Sequence, residues 1–181
     1  YDDGKVKILD RRVYPAKVEF VTCRTHQEVA QAITDMVTQS AGPYTAVPMG
    51  MALAAHECRD QTAAEQMEYL RKAAYTISHA RPTTAKRMAL LCDICISEAE
   101  RALAAGGDVA EAIRQKTIEL NNVRYDRMAT IGKYLVDMFP ENGTVMTHCF
   151  AETIVGMMLR ECTERGKHIR LFCPETRPYF Q

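Results

Sequence analysis

The sequence shows no excess of charge of either sign, because 23 Lys and Arg residues balance 23 Asp and Glu residues. Without a strong basic cluster, we do not expect nucleic acid to be a ligand of this chain. No apolar run approaches membrane-spanning length, and "YDDGKVKILD" is charged from its second residue. We therefore expect neither a membrane segment nor a signal peptide. Internal repeats and low-complexity linkers are also missing.

The chain also lacks the pattern of a disulfide-stapled protein. Its seven cysteines are an odd number, and 181 residues suffice to bury a core without cross-links. Free thiols in a reduced, cytoplasmic protein are therefore expected. Cys92 and Cys95 have CxxC spacing, but they lie within a helical pattern and no second CxxC accompanies them. We interpret both as core residues, and we expect no metal site.

Two regions with different periodicity make up what is present. Short β-branched runs at Val6 to Asp10 and Lys17 to Cys23 predict two strands. From there to Phe139 the apolar residues recur at helical spacing. The first helix is predicted to span residues 26–39. Three sites separate the later helices: "SAGPY", Arg81-Pro82 and Gly106-Gly107. Thr83 or Thr84 is predicted to cap the helix that follows Arg81-Pro82, and Asp108 the helix that follows Gly106-Gly107. The longest helix should kink or break near Asn121-Asn122 or Gly132.

The pattern changes after the turn "PENG". "TVMTH" predicts a buried strand, "AETIVGMMLRECTER" a helix and "HIRLFC" a second strand, which together form a parallel βαβ unit. The predicted fold class is therefore α/β. A small N-terminal β element and a helical domain occupy residues 1–140, and residues 141–181 begin a Rossmann-like parallel sheet. Two parallel strands do not form a stable open sheet alone, so we expect this second domain to be incomplete in the chain.

Cys149 falls where the first of these strands gives way to the helix. Ligands of parallel α/β sheets bind at the carboxyl ends of strands, and a helix N-terminus favours a thiolate. The cysteine is therefore a candidate nucleophile or acid/base group, or else a small buried hydrophobe. Its neighbour His148 faces the opposite side of a strand, which favours a packed, hydrogen-bonded histidine.

Two further stretches could contact a ligand. Arg81 in "ARPTT" stands between two helices, beside hydroxyls and helix N-terminal amides, which is a natural anion site. The alternative is a surface arginine at a helix break. Glu175 and Arg177 in "PETRP" could hold a substrate or pair with each other.

The motifs "KILD", "ARPT", "TVMTHC" and "ETRP..Q", in this order and spacing, resemble one family over essentially the whole chain. It contains methylthioribose-1-phosphate isomerases, ribose-1,5-bisphosphate isomerases and the regulatory alpha, beta and delta subunits of translation initiation factor 2B. The resemblance implies a small β element, a helical domain and a Rossmann-like domain, with dimers formed largely through the last. It also implies that Cys149 is catalytic, that Arg81 binds substrate phosphate and that Gln181 binds substrate.

The sequence departs from the methylthioribose enzymes in one loop. They carry Arg-Gly-Ala-Pro after the first helix, and the first three of these residues touch the substrate. Here the loop reads "TQSAGPY", so the resemblance assigns substrate contacts to Gln39, Ser40 and Ala41, with Gln39 or Ser40 where the arginine should be. One phosphate contact has therefore been lost or replaced. "FAE" after the cysteine also departs from the pattern and favours the ribose-bisphosphate type or another sugar-phosphate branch.

The resemblance thus implies an isomerase that interconverts an aldose-1-phosphate and a ketose-1-phosphate. Its substrate would be a phosphorylated pentose, its assembly a homodimer, and it would need no cofactor. The family's catalytic aspartate would lie beyond Gln181, so we expect this 181-residue chain alone to be inactive. The alternative is a non-catalytic regulatory subunit that binds a sugar phosphate or nucleotide. A helical interaction domain whose cysteines only pack is a third interpretation.

Overall fold

The computed structural model describes residues 1–148, 151–175 and 177. It divides into two compact units, Tyr1–Glu119 and Leu120–Gln181, and the division falls inside a helix. The elements are β1 (Val6–Leu9), β2 (Phe20–Cys23), α1 (His26–Thr34), α2 (Pro43–Glu57), α3 (Ala63–Ser78), α4 (Ala85–Ala104), α5 (Val109–Asp137), β3 (Asn142–Met146), α6 (Glu152–Glu164) and β4 (His168–Phe172). The domain boundary at residues 140–141 stays a prediction. No helix in the described ranges is long and apolar enough to cross a membrane.

The first unit opens with an antiparallel hairpin, in which β1 pairs with β2 from Val6–Cys23 to Leu9–Phe20. Both predicted strands are confirmed, although the second begins at Phe20 rather than Lys17. The connection is fixed by Asp10, whose buried carboxylate accepts bonds of 2.9 and 2.7 Å from the Arg12 guanidinium. These hydrogen bonds lower the pKa of Asp10.

Helix α2 lies at the centre of the helical unit and packs against α1, α3 and α4. Met51 and Leu53 on this Ala-rich helix are fully buried. Gly50 permits this packing, because a Cβ there would lie 2.9 Å from Val29 Cγ1. Close approach of α1 to α2 thus requires a residue without a side chain.

Helix α1 is shorter than predicted. It ends at Thr34, although the helical spacing of apolar residues continues to Val37 and the helix was predicted to reach residue 39. Met36 adopts a left-handed φ of 60°, and the Val37 N–H donates to the Ala32 carbonyl at 3.0 Å. This is a Schellman-type stop with methionine at the position usually held by glycine. Val37, which is 2% exposed, reaches the core in the non-helical loop rather than on the helix face.

The ends of the later helices follow local signals, with one exception. Thr62 and Glu65 form a capping box at the start of α3, and Gly106, with φ 68°, ends α4. Asp108 caps α5, since its Oδ1 accepts the Glu111 N–H at 3.0 Å. The exception is Thr84 at the start of α4. Thr84 holds the predicted cap position, but its hydroxyl accepts no backbone N–H and instead donates to the Arg81 carbonyl at 3.5 Å.

Helix α5 continues without interruption for 29 residues, so it has no break near Asn121-Asn122 or Gly132, and a kink there stays a prediction. Gly132 has a packing role instead. A Cβ there would lie 3.2 Å from the Met157 carbonyl carbon, and the glycine therefore allows the backbone of α6 to approach α5.

The second unit confirms the predicted βαβ topology. Strand β3 pairs in parallel with β4, from Asn142–His168 to Met146–Phe172, and α6 forms the crossover. Its small core consists of Val136, Val155, Met158 and Cys162, with Ile169 and Leu171 packed against it. The prediction of a buried first strand is wrong, since β3 alternates exposed and half-buried residues. One face of the two-stranded sheet meets this core, whereas Met146 and Phe172 on the other face are 72% and 52% exposed.

Candidate functional site

Two loops meet at one end of the helical unit. The Thr34 hydroxyl at the end of α1 donates to the Ala80 carbonyl after α3, at 2.8 Å. The Arg87 guanidinium at the start of α4 lies 4.8 Å from the centre of the Tyr44 ring at the start of α2. We call residues 35–45 and 79–87 the loop end. One of its loops carries the predicted substrate-binding residues Gln39, Ser40 and Ala41, and the other carries Arg81, which is distant from them in the sequence.

The loop between α1 and α2 contains a tight, hydrogen-bonded turn. The Gly42 N–H donates to the Gln39 carbonyl at 2.8 Å, and Ser40 has a left-handed φ of 52°. A Cβ at Gly42 would lie 1.9 Å from Thr38 Oγ1, so glycine is required there. Residues with left-handed backbone are uncommon and often mark functional loops. Here the strained residue is one of those assigned to substrate contact.

Apart from Asp35 at its start, the side chains of this loop carry no charge. Gln39 is half-buried, and its Nε2 donates to the Met36 carbonyl at 3.2 Å. The Ser40 side chain is exposed. The Ala41 carbonyl accepts the Tyr44 N–H at 3.1 Å, so the backbone here leads directly into α2. Gln39 therefore supports the loop from within, and any charge that holds an anion at the loop end must come from another element.

Arg81 provides such a charge. Its backbone is extended, with φ −146° and ψ 110°, as expected before Pro82. Its carbonyl accepts the Thr84 N–H at 3.2 Å, which closes a short 3₁₀ turn over residues 82–84. Arg81 is half-buried, and its guanidinium pairs with no carboxylate among the described residues. It is thus held at its backbone, and no described carboxylate neutralises its cation.

The first turn of α4 adds two cations that the sequence analysis missed. Lys86 and Arg87 are exposed there, and no acidic residue accompanies them in that turn. The positive end of a helix dipole disfavours cations and favours anions. Adjacent basic residues just after a helix start are therefore the sequence signal that could have revealed them. Together with Arg81 they make the loop end suited to binding an anion.

The remaining sequence candidates have different outcomes. Cys149 and Gln181 lie outside the described residues, so their roles stay predictions. His148 is exposed, so the prediction of a packed histidine is wrong. Arg177 Nε donates to Glu175 Oε2 at 2.8 Å, which is the pairing alternative for that loop.

The cysteines of "CDIC" are core residues, as predicted. Cys92 and Cys95 are 2% and 3% exposed. Burial raises the pKa of Cys92 to about 12 and raises that of Cys95 as well, so neither is a thiolate at neutral pH. Among the described residues no group of three or more His, Cys, Asp or Glu side chains could hold a metal ion.

A buried polar cluster ties three helices together away from the loop end. Glu57 at the end of α2 accepts the His26 backbone N–H at 2.6 Å and contacts His26 Nδ1 at 2.7 Å. The Tyr69 hydroxyl on α3 donates to the same carboxylate at 2.6 Å. Burial alone would raise the pKa of Glu57, but the hydrogen bonds from His26 and Tyr69 outweigh it, and the pKa is lowered. With its polar groups paired, the cluster has a structural role.

A cavity of about 320 Å³ opens at the opposite end of the helical unit, beside the start of α5. It is lined in part by His56, Arg59, Asp60 and Asp108. The Arg59 guanidinium in this cavity already has partners, because it donates to the His56 carbonyl at 2.7 Å and lies 3.8 Å from the Asp60 carboxylate. No predicted site residue lines this cavity, and the loop end remains the better candidate.

Comparison with known proteins identifies the family. The family model described as the initiation factor 2 subunit family matches residues 41–181, which include the whole loop end from Ala41 onward. The chain belongs to this family. The resemblance drawn from four short motifs is thus confirmed. So is the expected architecture, a small β element and helices followed by a parallel βαβ unit.

Individual family relatives include enzymes and an initiation factor subunit. A methylthioribose-1-phosphate isomerase of Thermosipho melanesiensis is 29% identical over 185 residues, which is 96% of this chain and 52% of that protein. The crystal structure of the translation initiation factor eIF-2B delta subunit from A. fulgidus has a TM-score of 0.79 at 29% identity, covering 100% of this chain and 55% of the other.

A second solved structure supports the fold alone. The 5-methylthioribose 1-phosphate isomerase of Pyrococcus horikoshii has a TM-score of 0.75 at 24% identity, covering 98% of this chain and 52% of that one. The chain therefore spans about half the length of the relatives that it matches.

Proposed function

We propose that this protein is an isomerase that interconverts an aldose-1-phosphate and a ketose-1-phosphate. The observation that supports this most directly is the half-buried Arg81, whose guanidinium has no carboxylate partner among the described residues and lies at the same end as the Gln39–Ala41 loop. The names of related proteins point to the same chemistry, since a relative 29% identical is called a methylthioribose-1-phosphate isomerase.

The substrate class sets what the site must do. Phosphate on the anomeric oxygen prevents the sugar ring from opening to a free aldehyde without help. An acid must protonate the ring oxygen as its bond to C1 breaks. A hydrogen must then move from C2 to C1 while the C2 hydroxyl gives up its proton and becomes the ketone, so no external oxidant or reductant is consumed. General acid/base help of this kind is typically worth ~10²–10⁴-fold for each group.

We assign one role to each candidate residue. Arg81 binds the phosphate, which at neutral pH carries about −1.5 to −2 charges. The loop residues Gln39, Ser40 and Ala41 contact the substrate beside it, and Gln181 contacts the sugar. Cys149 transfers the hydrogen or stabilises its transition state. The protein works as a cytoplasmic homodimer without cofactor or metal.

The test of this function is an assay of the complete protein with three candidate substrates: methylthioribose-1-phosphate, ribose-1,5-bisphosphate and 5-deoxyribose-1-phosphate. Conversion of aldose to ketose is followed by NMR. Cys149→Ser should abolish turnover and leave sugar-phosphate binding in place. Cys173→Ser is the matched control, because Cys173 is an exposed thiol in the same unit. Unchanged turnover in Cys149→Ser would show that this cysteine is not catalytic.

A second function is supported by the similarity to the solved eIF-2B delta subunit, at a TM-score of 0.79 and 29% identity. In this alternative the loop end senses a sugar phosphate or nucleotide without converting it, and the surface docks partner subunits. Calorimetry on the same three sugar phosphates separates the two functions. Binding without turnover of any of them favours the regulatory module, whereas turnover favours the enzyme.

A further inference from the structure

We propose that Arg11 is a further substrate-binding residue, which supplies a cation to the loop between α1 and α2, where there is neither Lys nor Arg. Its guanidinium binds the phosphate of the substrate together with Arg81. The inference rests on the proposed function for the nature of this ligand. Two observations support it: the place of Arg11 beside the loop, and a buried nitrogen of its side chain that has no partner.

Arg11 lies directly against the loop end, although it follows β1 in the sequence. Its backbone N–H donates to the Val37 carbonyl at 2.9 Å. That carbonyl belongs to the peptide bond between Val37 and Thr38, and Gln39 is the next residue. The connection after β1 is thus anchored two residues from Gln39, the first predicted substrate contact.

The end of α1 also brings Arg11 close to the loop of Arg81. The Thr34 hydroxyl donates to the Ala80 carbonyl at 2.8 Å, and Arg81 follows Ala80 directly. The carbonyl that accepts the Arg11 N–H belongs to Val37, three residues after Thr34. Both arginines are therefore attached to the same short segment, residues 34–37.

The Arg11 side chain has a hydrogen-bonding group that the described residues leave unused. Its Nε is the one buried side-chain nitrogen or oxygen among them that has no hydrogen-bond partner. The guanidinium carbon lies 5.2 Å from the centre of the Tyr14 ring, within the range of a cation–π interaction. Such a contact uses the face of the guanidinium and provides no acceptor for its N–H groups. Because a buried N–H without an acceptor is costly, a bound anion accounts for its position.

The acidic residues nearest to Arg11 in the hairpin and in the loop already have partners. The Asp10 carboxylate accepts bonds of 2.9 and 2.7 Å from the Arg12 guanidinium. Asp35, at the start of the loop, accepts a hydrogen bond from Gln31 at 2.7 Å. No described residue forms an ion pair with Arg11, so no carboxylate there neutralises its cation.

The charge of a phosphate group suits two arginines. A phosphate monoester carries about −1.5 to −2 charges at neutral pH, more than Arg81 alone balances. Each guanidinium donates two parallel hydrogen bonds to such a group, and these charge-assisted bonds are among the strong ones in proteins. With Arg11 as the second arginine, the phosphate is neutralised and the buried Nε–H gains an acceptor.

The experiment measures phosphate binding and turnover separately, in the complete protein at constant ionic strength. Calorimetry gives the dissociation constant of inorganic phosphate, and the NMR assay gives kcat and KM for the sugar phosphate that is converted. The variants are Arg11→Gln, Arg11→Lys, Tyr14→Leu and Arg24→Gln. Circular dichroism shows that each variant is folded.

Arg24→Gln is the matched control, because it removes the same charge from the same unit. Arg24 is an exposed residue directly after β2. It lies at the opposite end of the hairpin from Arg11, since Cys23, the last residue of β2, pairs with the first residue of β1.

We expect Arg11→Gln to weaken the binding of inorganic phosphate by about 10- to 100-fold, the range for loss of one charged hydrogen-bonding partner. KM should rise with kcat little changed, because the phosphate is bound alike in the ground state and the transition state. Arg11→Lys should retain part of the affinity, since lysine keeps the charge and loses the planar fork. Tyr14→Leu should have a smaller effect, because only the positioning of the cation is lost. Arg24→Gln should change neither measurement.

Other outcomes separate this inference from the proposed function. Unchanged phosphate affinity and KM in Arg11→Gln would overturn the inference and leave the isomerase intact. An equal loss in Arg24→Gln would overturn it too, by revealing an effect of net charge. A fall in kcat at unchanged KM would make Arg11 a structural residue. If the unaltered protein binds phosphate through Arg11 but converts no sugar phosphate, the isomerase fails and the anion-binding role of Arg11 stands.

Discussion

Removal of the Tyr69 hydroxyl should destabilise the helical unit by a measurable and pH-dependent amount. In Tyr69→Phe, Glu57 loses a hydrogen bond of 2.6 Å and keeps its two contacts with His26. A hydrogen bond to a charged group is worth about 1.5–3 kcal/mol. Tyr69 is half-buried, so water can partly replace its hydroxyl, and we expect a loss of about 1–2 kcal/mol at pH 7.

The pH dependence follows from the lowered pKa of Glu57. A carboxyl whose pKa is lower in the folded protein than in the unfolded chain stabilises the fold above its ordinary value of about 4.3. That stabilisation is lost as the pH falls through the folded-state pKa. The Tyr69 hydroxyl then faces a protonated acid, so the difference between Tyr69→Phe and the unaltered protein should narrow in acid.

Urea unfolding followed by circular dichroism at pH 7 and pH 3 measures both effects. With a typical urea dependence of about 1–3 kcal/mol per M, a loss of about 1–2 kcal/mol should lower the midpoint at pH 7 by about 0.3–2 M. Tyr75→Phe is the matched control, because Tyr75 lies on the same helix and is 67% exposed. An unchanged midpoint in Tyr69→Phe at pH 7, or a difference that grows in acid, would refute this account of the cluster.

Three further predictions concern packing, capping and thiol accessibility. Gly42→Ala should destabilise the helical unit by about 1–3 kcal/mol in urea, because the new Cβ would lie 1.9 Å from buried Thr38; a neutral effect would show that the loop can relax. Thr62→Ala should cost about 1 kcal/mol in the same measurement, and Thr62→Ser should restore most of it. A thiol reagent at neutral pH should modify exposed Cys173 readily and Cys92 only on unfolding; fast reaction of Cys92 would contradict its burial.

The sequence by itself determined most helix boundaries, because their signals are local. Capping at Thr62 and Asp108 and the left-handed glycine at Gly106 depend on neighbouring residues, which are visible in the chain. Parallel pairing of the last two strands was also predictable, since a helical crossover of this length allows little else. Arg81 could be singled out for the same kind of reason, as a cation between a helix end and a helix start.

Only the tertiary structure decided where long-range packing overrides such signals. Met36 adopts a left-handed backbone conformation that ends α1, and the next residue, Val37, is buried in the core. Gly132 does not interrupt α5, and its missing side chain lets α6 pack closely against that helix. Arg87 escaped sequence analysis for the same reason. Its partner Tyr44 begins another helix, and no spacing along the chain reveals that the two starts adjoin. Local sequence thus set the elements, whereas contacts between distant segments assembled the charged loop end.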